Sequence, residues 1–201
     1  MRKVIFRMMM SLDGYMSSPT GDLEWVKIDE ELHRYINEEE DARVDTHLYG
    51  RRMYELMAEF WPTADEDPAQ PDFIADYARI WKRMRKIVFS RTVDRAEGAE
   101  RVVKDDIAGE VRRLKEEPGK DMTVGGRELA AIFMREDLID EYEIYVNPLI
   151  LGEGIPLFSP LEAGIPLELL EARRFGSGVV LLRYGRGAAG PPIAQEQETN
   201  D

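Results

Sequence analysis

The chain has 201 residues, of which 43% are hydrophobic and 33% charged, a composition typical of a single globular domain. Because it contains no cysteine and only two histidines, we expect no disulfides, no thiol catalysis and no metal site, and the lack of cysteine favours a cytoplasmic location. The net charge of −13 disfavours nucleic acid and membrane surfaces as partners and leaves a small molecule as the expected one.

Short apolar runs alternate with amphipathic stretches along the chain, which is the pattern of strands and helices taking turns. Strands are predicted over 4–11, 46–49, 86–90, 101–104, 122–124 and 139–146, and helices over 29–44, 52–60, 73–84, 107–115 and 127–135. A C-terminal hairpin is predicted from the segments 167–174 and 178–184. We therefore expect residues 1–187 to form one α/β domain with a mostly parallel sheet and an antiparallel C-terminal edge, and residues 188–201 to form a disordered acidic tail.

Three predicted junctions between a strand and a helix combine small residues with arginine. They are Gly50-Arg51-Arg52-Met53, Ser90-Arg91-Thr92 and Val124-Gly125-Gly126-Arg127-Glu128-Leu129. In parallel sheets such junctions share one edge, where glycine lets a phosphate approach and the helix N-terminus attracts it. Each arginine adds a bidentate donor for phosphate oxygens. Taken singly these are ordinary turn and cap residues, but together they predict a phosphate-bearing cofactor.

The order of the motifs resembles the dihydrofolate reductase-like superfamily, and most of all the reductase C-terminal domain family of riboflavin biosynthesis. Segments 11–16 and 21–25 are similar to the start of that reductase domain, and 48–55 resembles the Gly-Arg motif of dihydrofolate reductases. Segments 124–130, 138–141 and 147–154 resemble the second half of the superfamily. The resemblance spans about residues 2–186, and it implies a dihydrofolate reductase-like three-layer sandwich.

The resemblance also implies NADPH as the cofactor and assigns residues to it. The residues that it places at the cofactor are Met10, Ser11, Gly50, Arg51, Arg52, Met53, Ser90, Arg91, Thr92, Val124, Gly125, Gly126, Arg127, Glu128 and Leu129. Of these, Ser90, Arg91 and Thr92 are expected to hold the phosphate on the adenosine ribose. Gly14, Tyr15 and Trp25 are expected to contact the substrate. Asp13 is the predicted proton donor, with Asp22, Glu24 and solvent as alternatives.

The predicted function is an NADPH-dependent reductase of a small heterocycle, similar to the 5-amino-6-(5-phosphoribosylamino)uracil reductase of riboflavin biosynthesis. Met53 replaces a threonine, and Val124 a glutamate, found in many relatives, and these departures leave the substrate open. The alternatives are a dihydrofolate reductase and an NADPH-binding protein that has lost its catalytic activity.

Several other features are given structural interpretations. The acidic run Glu38-Glu39-Glu40-Asp41 is interpreted as a solvated helix face, and His33 and His47 as structural residues. The apolar segment 178–182 is interpreted as an edge strand. An exposed apolar edge promotes aggregation, so we expect this strand to be buried in a homodimer.

Overall fold

The computed structural model describes residues 1–188, so the predicted tail lies outside the described residues except for Ala188. The strands are β1 (Val4–Ser11), β2 (Tyr15–Ser17), β3 (Val44–Gly50), β4 (Arg85–Phe89), β5 (Arg101–Val103), β6 (Asp121–Gly125), β7 (Glu141–Asn147), β8 (Ile155–Pro156), β9 (Leu167–Arg174) and β10 (Val180–Arg186). The helices are α1 (Glu30–Arg43), α2 (Arg51–Phe60), α3 (Asp72–Arg83), α4 (Ile107–Glu116) and α5 (Arg127–Arg135).

Eight strands form the central sheet in the order β5-β4-β3-β6-β1-β7-β10-β9. The six from β5 to β7 are parallel, and β10 and β9 add antiparallel pairs at one end. Parallel strands share the direction of their carboxyl ends, so the ends of β4, β3, β6 and β1 lie side by side at one edge. The short strands β2 and β8 pair with each other outside this sheet.

Helices cover both faces of the sheet. On one face the main core joins even-numbered β1 residues such as Val4 and Phe6 to Val111 of α4 and Phe133 of α5. On the other face, smaller clusters join the sheet to α1, α2 and α3, with Leu32 and Trp81 among their buried members. This arrangement is the predicted three-layer sandwich. None of the helices within residues 1–188 is both long and apolar enough to cross a membrane.

The predicted elements agree with the structure to within a few residues, with one wrong interpretation at the C-terminus. The segment 178–182 does not form the sheet edge, because β10 pairs with both β7 and β9 and Leu181 is fully buried. The edge strand at this end of the sheet is β9, where Leu167, Leu169 and Leu170 are exposed. The homodimer stays a prediction. The exposed apolar edge that a partner subunit would bury is β9.

Candidate functional site

A cavity of about 500 Å³ lies on the α1 side of the sheet and reaches the carboxyl ends of its central strands. Its walls are mostly apolar and include five methionines, Met8, Met9, Met16, Met53 and Met57. Leu23, Val26 and Ile28, from the loop before α1, form a further wall. An apolar cavity with a few polar groups at the strand ends of an α/β sheet is the usual form of a small-molecule site.

The cavity lies where the pairing of β1 with β6 stops. The two strands pair only as far as Phe6 and Val124, whereas β1 continues beside β7 to Ser11. β6 ends at Gly125, one residue past its last pair with β1, and Gly125 lines the cavity together with Met8 and Met9 of β1. The loop that forms the outer wall is anchored by Asn147, whose Oδ1 accepts a hydrogen bond of 3.0 Å from the Lys27 backbone N–H.

The junctions before α2 and α5 lie directly against each other. Tyr49 and Gly125 are partners in the pairing of β3 with β6, and a Cβ added at Gly126 would lie 3.7 Å from the Gly50 backbone N. Gly50 and Gly126 are the N-cap residues of α2 and α5, and neither helix has a side-chain cap. Two adjacent helix N-termini therefore direct free N–H groups and positive dipole ends toward one place, which suits a phosphate.

The arginines of these junctions differ in their pairing. Arg51 donates to Glu55 one turn along α2, and Arg52 lies 3.9 Å from Glu128 with both side chains strongly exposed. The Nε of Arg127 is buried and has no hydrogen-bond partner among the described residues. Exposed pairs of this kind contribute little, so the side chains of Arg51 and Arg52 are free to reorient toward a ligand.

The third predicted junction follows β4, the next strand beyond β3, but no helix begins there. Residues 90–100 form a loop that leads to β5, so the predicted passage from strand to helix is wrong at this position. Ser90 Oγ accepts a 3.2 Å hydrogen bond from the Thr92 backbone N–H, which forms a tight hydroxyl turn. Arg91 is exposed, and within residues 1–188 it makes no ion pair. The three predicted junctions thus form one row along the strand ends, with Ser90, Gly50 and Gly126 on neighbouring strands.

The turn after β1 is fixed by the carboxylate of Asp13. It accepts hydrogen bonds from the Ser11 hydroxyl at 2.6 Å and from the backbone N–H groups of Leu151 and Gly152 at 3.1 and 2.8 Å. The Ser11 hydroxyl, with the Gly152 and Leu151 N–H groups, lowers the pKa of Asp13 to about 2. Asp13 is therefore ionised at neutral pH and holds two loops together, which disfavours its predicted role as proton donor.

The other residues predicted to face the nicotinamide or the substrate lie beside the cavity, outside the set that lines it. Met10 packs against the main core, while Met8 and Met9 line the cavity instead. Gly14 accepts a backbone hydrogen bond from Leu157, and Tyr15 pairs with β8. Trp25 is half-buried next to the lining residue Val26. The binding roles predicted for Met10, Ser11, Gly14, Tyr15 and Trp25 stay predictions.

The floor of the cavity is polar, and the sequence analysis did not assign its residues to the site. The floor carries Arg7, Glu40, His47, Thr123 and Tyr145. The interpretation of the acidic run as a solvated face is wrong for Glu40, which is 1% exposed. His47 is likewise buried and lines the cavity.

The signal for the floor was present in the sequence. Arg7 stands inside an otherwise apolar parallel strand, and Glu141 and Glu143 alternate with apolar residues in β7. Charged residues that alternate within buried strands must be paired, so they indicate a polar layer on one face of the sheet.

Comparison with known families agrees with this arrangement. The sequence model of the RibD C-terminal domain family matches residues 2–181. The chain belongs to the RibD C-terminal domain family. It is 32% identical over 186 residues to the uncharacterized protein YyaP of Bacillus subtilis (strain 168), covering 91% of this chain and 94% of YyaP.

Solved structures show the same fold. A putative riboflavin biosynthesis protein from Shewanella sp. PV-4 superposes with a TM-score of 0.70 at 23% identity, over 94% of this chain and all of that one. A Thermotoga maritima diaminohydroxyphosphoribosylaminopyrimidine deaminase/5-amino-6-(5-phosphoribosylamino)uracil reductase superposes with a TM-score of 0.64 at 17% identity. This chain covers 57% of that bifunctional protein. The fold is therefore that of the RibD-like reductases, and the family supports an oxidoreductase.

Gly125 is placed so that no side chain fits. A Cβ there would lie 2.8 Å from Tyr49 Cδ1 and 3.3 Å from Met53 Cγ, whereas a Cβ at Gly50 would lie 3.7 Å from Leu129 Cβ. We expect Gly125→Ala to lower the free energy of unfolding by about 1–3 kcal/mol through overpacking, and Gly50→Ala to lower it by less than about 1 kcal/mol. Urea unfolding followed by circular dichroism measures both. Equal stability of the two variants would contradict this steric argument.

Asp13 should contribute stability in a pH-dependent way. Its folded pKa of about 2 lies below the usual value of 3.8, so its contribution is present above pH 4 and is lost as the pH falls through 2. Asp13→Asn should therefore be less stable than the unmodified protein at pH 7, and the difference should shrink between about pH 4 and 2. Chemical unfolding at a series of pH values tests this, and a difference independent of pH would refute it.

Proposed function

We propose that this protein is an NADPH-dependent reductase that transfers hydride to a small heterocycle, with a pyrimidine-like ring as the first candidate. The observation that carries the proposal is the row of three phosphate-suited junctions beside an apolar cavity. The row runs over the ends of β4, β3 and β6, which are two inter-strand spacings or about 10 Å apart, and β1 is the next strand beyond it. A dinucleotide laid across these strand ends would bring one end to the Ser90-Arg91-Thr92 turn and the other to the cavity.

The residues present fit such a cofactor. The uncapped N-termini of α2 and α5 would hold the pyrophosphate, and the buried Nε of Arg127 is available to donate to it. Ser90, Arg91 and Thr92 would hold the phosphate on the adenosine ribose with two hydroxyls and a guanidinium. In a chain with a net charge of −13, these local donors are needed to attract a polyanion.

The chain's own residues would orient the reacting groups and exclude water from them. NADPH, when bound, supplies the hydride. Met9, Met53 and Tyr49 form walls against which a flat ring can pack, which limits both its position and its contact with water. The proton that accompanies hydride transfer is assigned to solvent, because two of the carboxylates predicted for this step, Asp13 and Asp22, are poor donors. The hydroxyls of Ser18 and Thr20 lower the pKa of Asp22, and that of Asp13 is about 2.

Titration with NADPH tests the proposal. Saturable quenching of tryptophan fluorescence is expected at submillimolar cofactor, followed by NADPH oxidation when a pyrimidine or pterin substrate is added. Dihydrofolate and the ribosylaminopyrimidine phosphate are assayed in parallel, because they separate a dihydrofolate reductase from a riboflavin-pathway reductase. Absence of saturable binding up to millimolar NADPH would refute the proposal. Tight binding without oxidation across the panel would favour the catalytically silent alternative.

Arg91 should discriminate between the two nicotinamide cofactors. Arg91→Glu places a carboxylate near the proposed adenosine phosphate, so we expect NADPH affinity to fall about 100-fold or more and NADH affinity by less than about 3-fold. Arg112→Glu, on the exposed surface of α4, is the matched control for the change in net charge and should leave both affinities unchanged. An equal loss for NADPH and NADH in Arg91→Glu would contradict the assignment of this turn.

A further inference from the structure

Two buried polar atoms on the cavity floor, Arg7 Nη2 and Tyr145 Oη, lack hydrogen-bond partners among residues 1–188. Beside them, Glu40 Oε1 and His47 Nε2 have only each other among these residues, at a distance of 3.2 Å. The side chains of Glu40 and His47 are 2% and 4% exposed, and that of Arg7 is 10% exposed. A buried polar group without a partner costs about 1–3 kcal/mol, so two such groups at the bottom of one cavity, beside a buried carboxylate, indicate that a ligand completes their bonding.

The floor offers both a donor and an acceptor. Arg7 pairs through Nη1 with Glu40 Oε2, which leaves Nη2 of the guanidinium for a ligand. Glu40 Oε1 has one neighbour, His47, and as a carboxylate oxygen it can accept a second hydrogen bond from a ligand. His47 Nε2 lies 3.2 Å from Glu40 Oε1, and its Nδ1 lies 2.7 Å from the Thr123 hydroxyl. Burial lowers the pKa of His47, so this ring is neutral and adds no charge to the floor.

The floor is held rigid from below. Arg7 Nε donates to Glu143 Oε2 at 2.5 Å, and Glu143 Oε1 lies 2.7 Å from Arg43 Nη1 and 3.1 Å from Arg183 Nε. Burial would raise the pKa of Glu143, but the charges of Arg7, Arg183 and Arg43 lower it to about 2. Arg7 therefore keeps one fixed orientation with or without a ligand, which is the preorganisation that specific recognition requires.

The charge balance of this network limits the ligand. Five carboxylates in it face four basic groups: Glu39, Glu40, Glu141, Glu143 and Glu171 against Lys3, Arg7, Arg43 and Arg183. An anionic ligand group at the floor would be repelled by the excess of negative charge. A neutral group that both donates and accepts hydrogen bonds avoids this repulsion.

We propose that Glu40 and Arg7 recognise the lactam edge of a flat, uncharged heterocycle, with its ring N–H donating to Glu40 Oε1 and its neighbouring carbonyl accepting from Arg7 Nη2. Tyr145 Oη supplies a third polar contact, and the methionine walls adapt to the faces of the ring. A phosphate on such a substrate stays outside the floor. The catalytic role of this recognition rests on the proposed function. Binding of the ring itself does not require bound NADPH.

The test measures binding of lumazine (pteridine-2,4-dione) and of 1,3-dimethyllumazine to the apoprotein by calorimetry. The first compound has the ring N–H groups and the second does not. The unmodified protein should bind lumazine at least 10-fold more tightly than its dimethyl analogue. In Glu40→Gln this preference should collapse, while Glu38→Gln, the same change on the exposed side of α1, should keep it. Persistence of the full preference in Glu40→Gln would show that it is steric and would overturn the proposal.

A second variant distinguishes loss of ring recognition from loss of the fold. Tyr145→Phe removes one unpartnered hydroxyl and leaves every ion pair of the floor intact, so it should fold and weaken lumazine binding by about 3–10-fold. Unchanged lumazine affinity in both Glu40→Gln and Tyr145→Phe, with native circular dichroism, would refute the recognition role.

NADPH titration of the same samples separates this proposal from the proposed function. Normal NADPH binding without lumazine binding overturns the floor assignment alone. Lumazine binding that depends on Glu40, in a protein that does not bind NADPH, supports the floor assignment and overturns the reductase.

Discussion

The pairing of buried charge is the constraint on which the candidate site depends. Arg7 is nearly buried in a central strand, where an unpaired guanidinium would cost several kcal/mol. It is tolerated because Glu143 and Glu40 approach it from β7 and α1, and because Arg43 and Arg183 balance Glu143 in turn. The same bonds fix the orientation of Arg7, the register of β1 against β7 and the position of α1 over the sheet.

Strand geometry decides where this polar floor meets the rest of the site. The pairing of β1 with β6 stops at Phe6, later residues of β1 line the cavity, and the helices that follow β3 and β6 begin beside it. Gly50 and Gly126 let the two helix N-termini come close to each other. Two uncapped helix N-termini and an apolar cavity with a polar floor therefore share one edge of the sheet, which is the arrangement on which the proposed function rests.

Much of this arrangement could be predicted from local sequence. Continuous apolar runs gave the parallel strands, and the glycine-arginine junctions gave the strand-end row, because glycine at the start of a helix is a local signal. The proton donor was harder to predict. Asp13-Gly14 indicates a turn in any protein, and only the contacts of Asp13 with Leu151 and Gly152 show that its carboxylate is occupied.

Local sequence was enough to predict the elements, their order and the residues at the strand ends, since these follow from periodicity and from the conformational preferences of glycine. Which carboxylates of α1 face inward became clear from the packing of the folded chain. Glu38 and Glu40 are the same residue type on the same helix, yet one is exposed and the other forms the cavity floor. The tertiary structure also decided that β9, and not the more apolar β10, is the edge strand. Burial and strand order depend on contacts between segments more than 100 residues apart, such as Arg7 with Glu143, and no local pattern encodes such contacts.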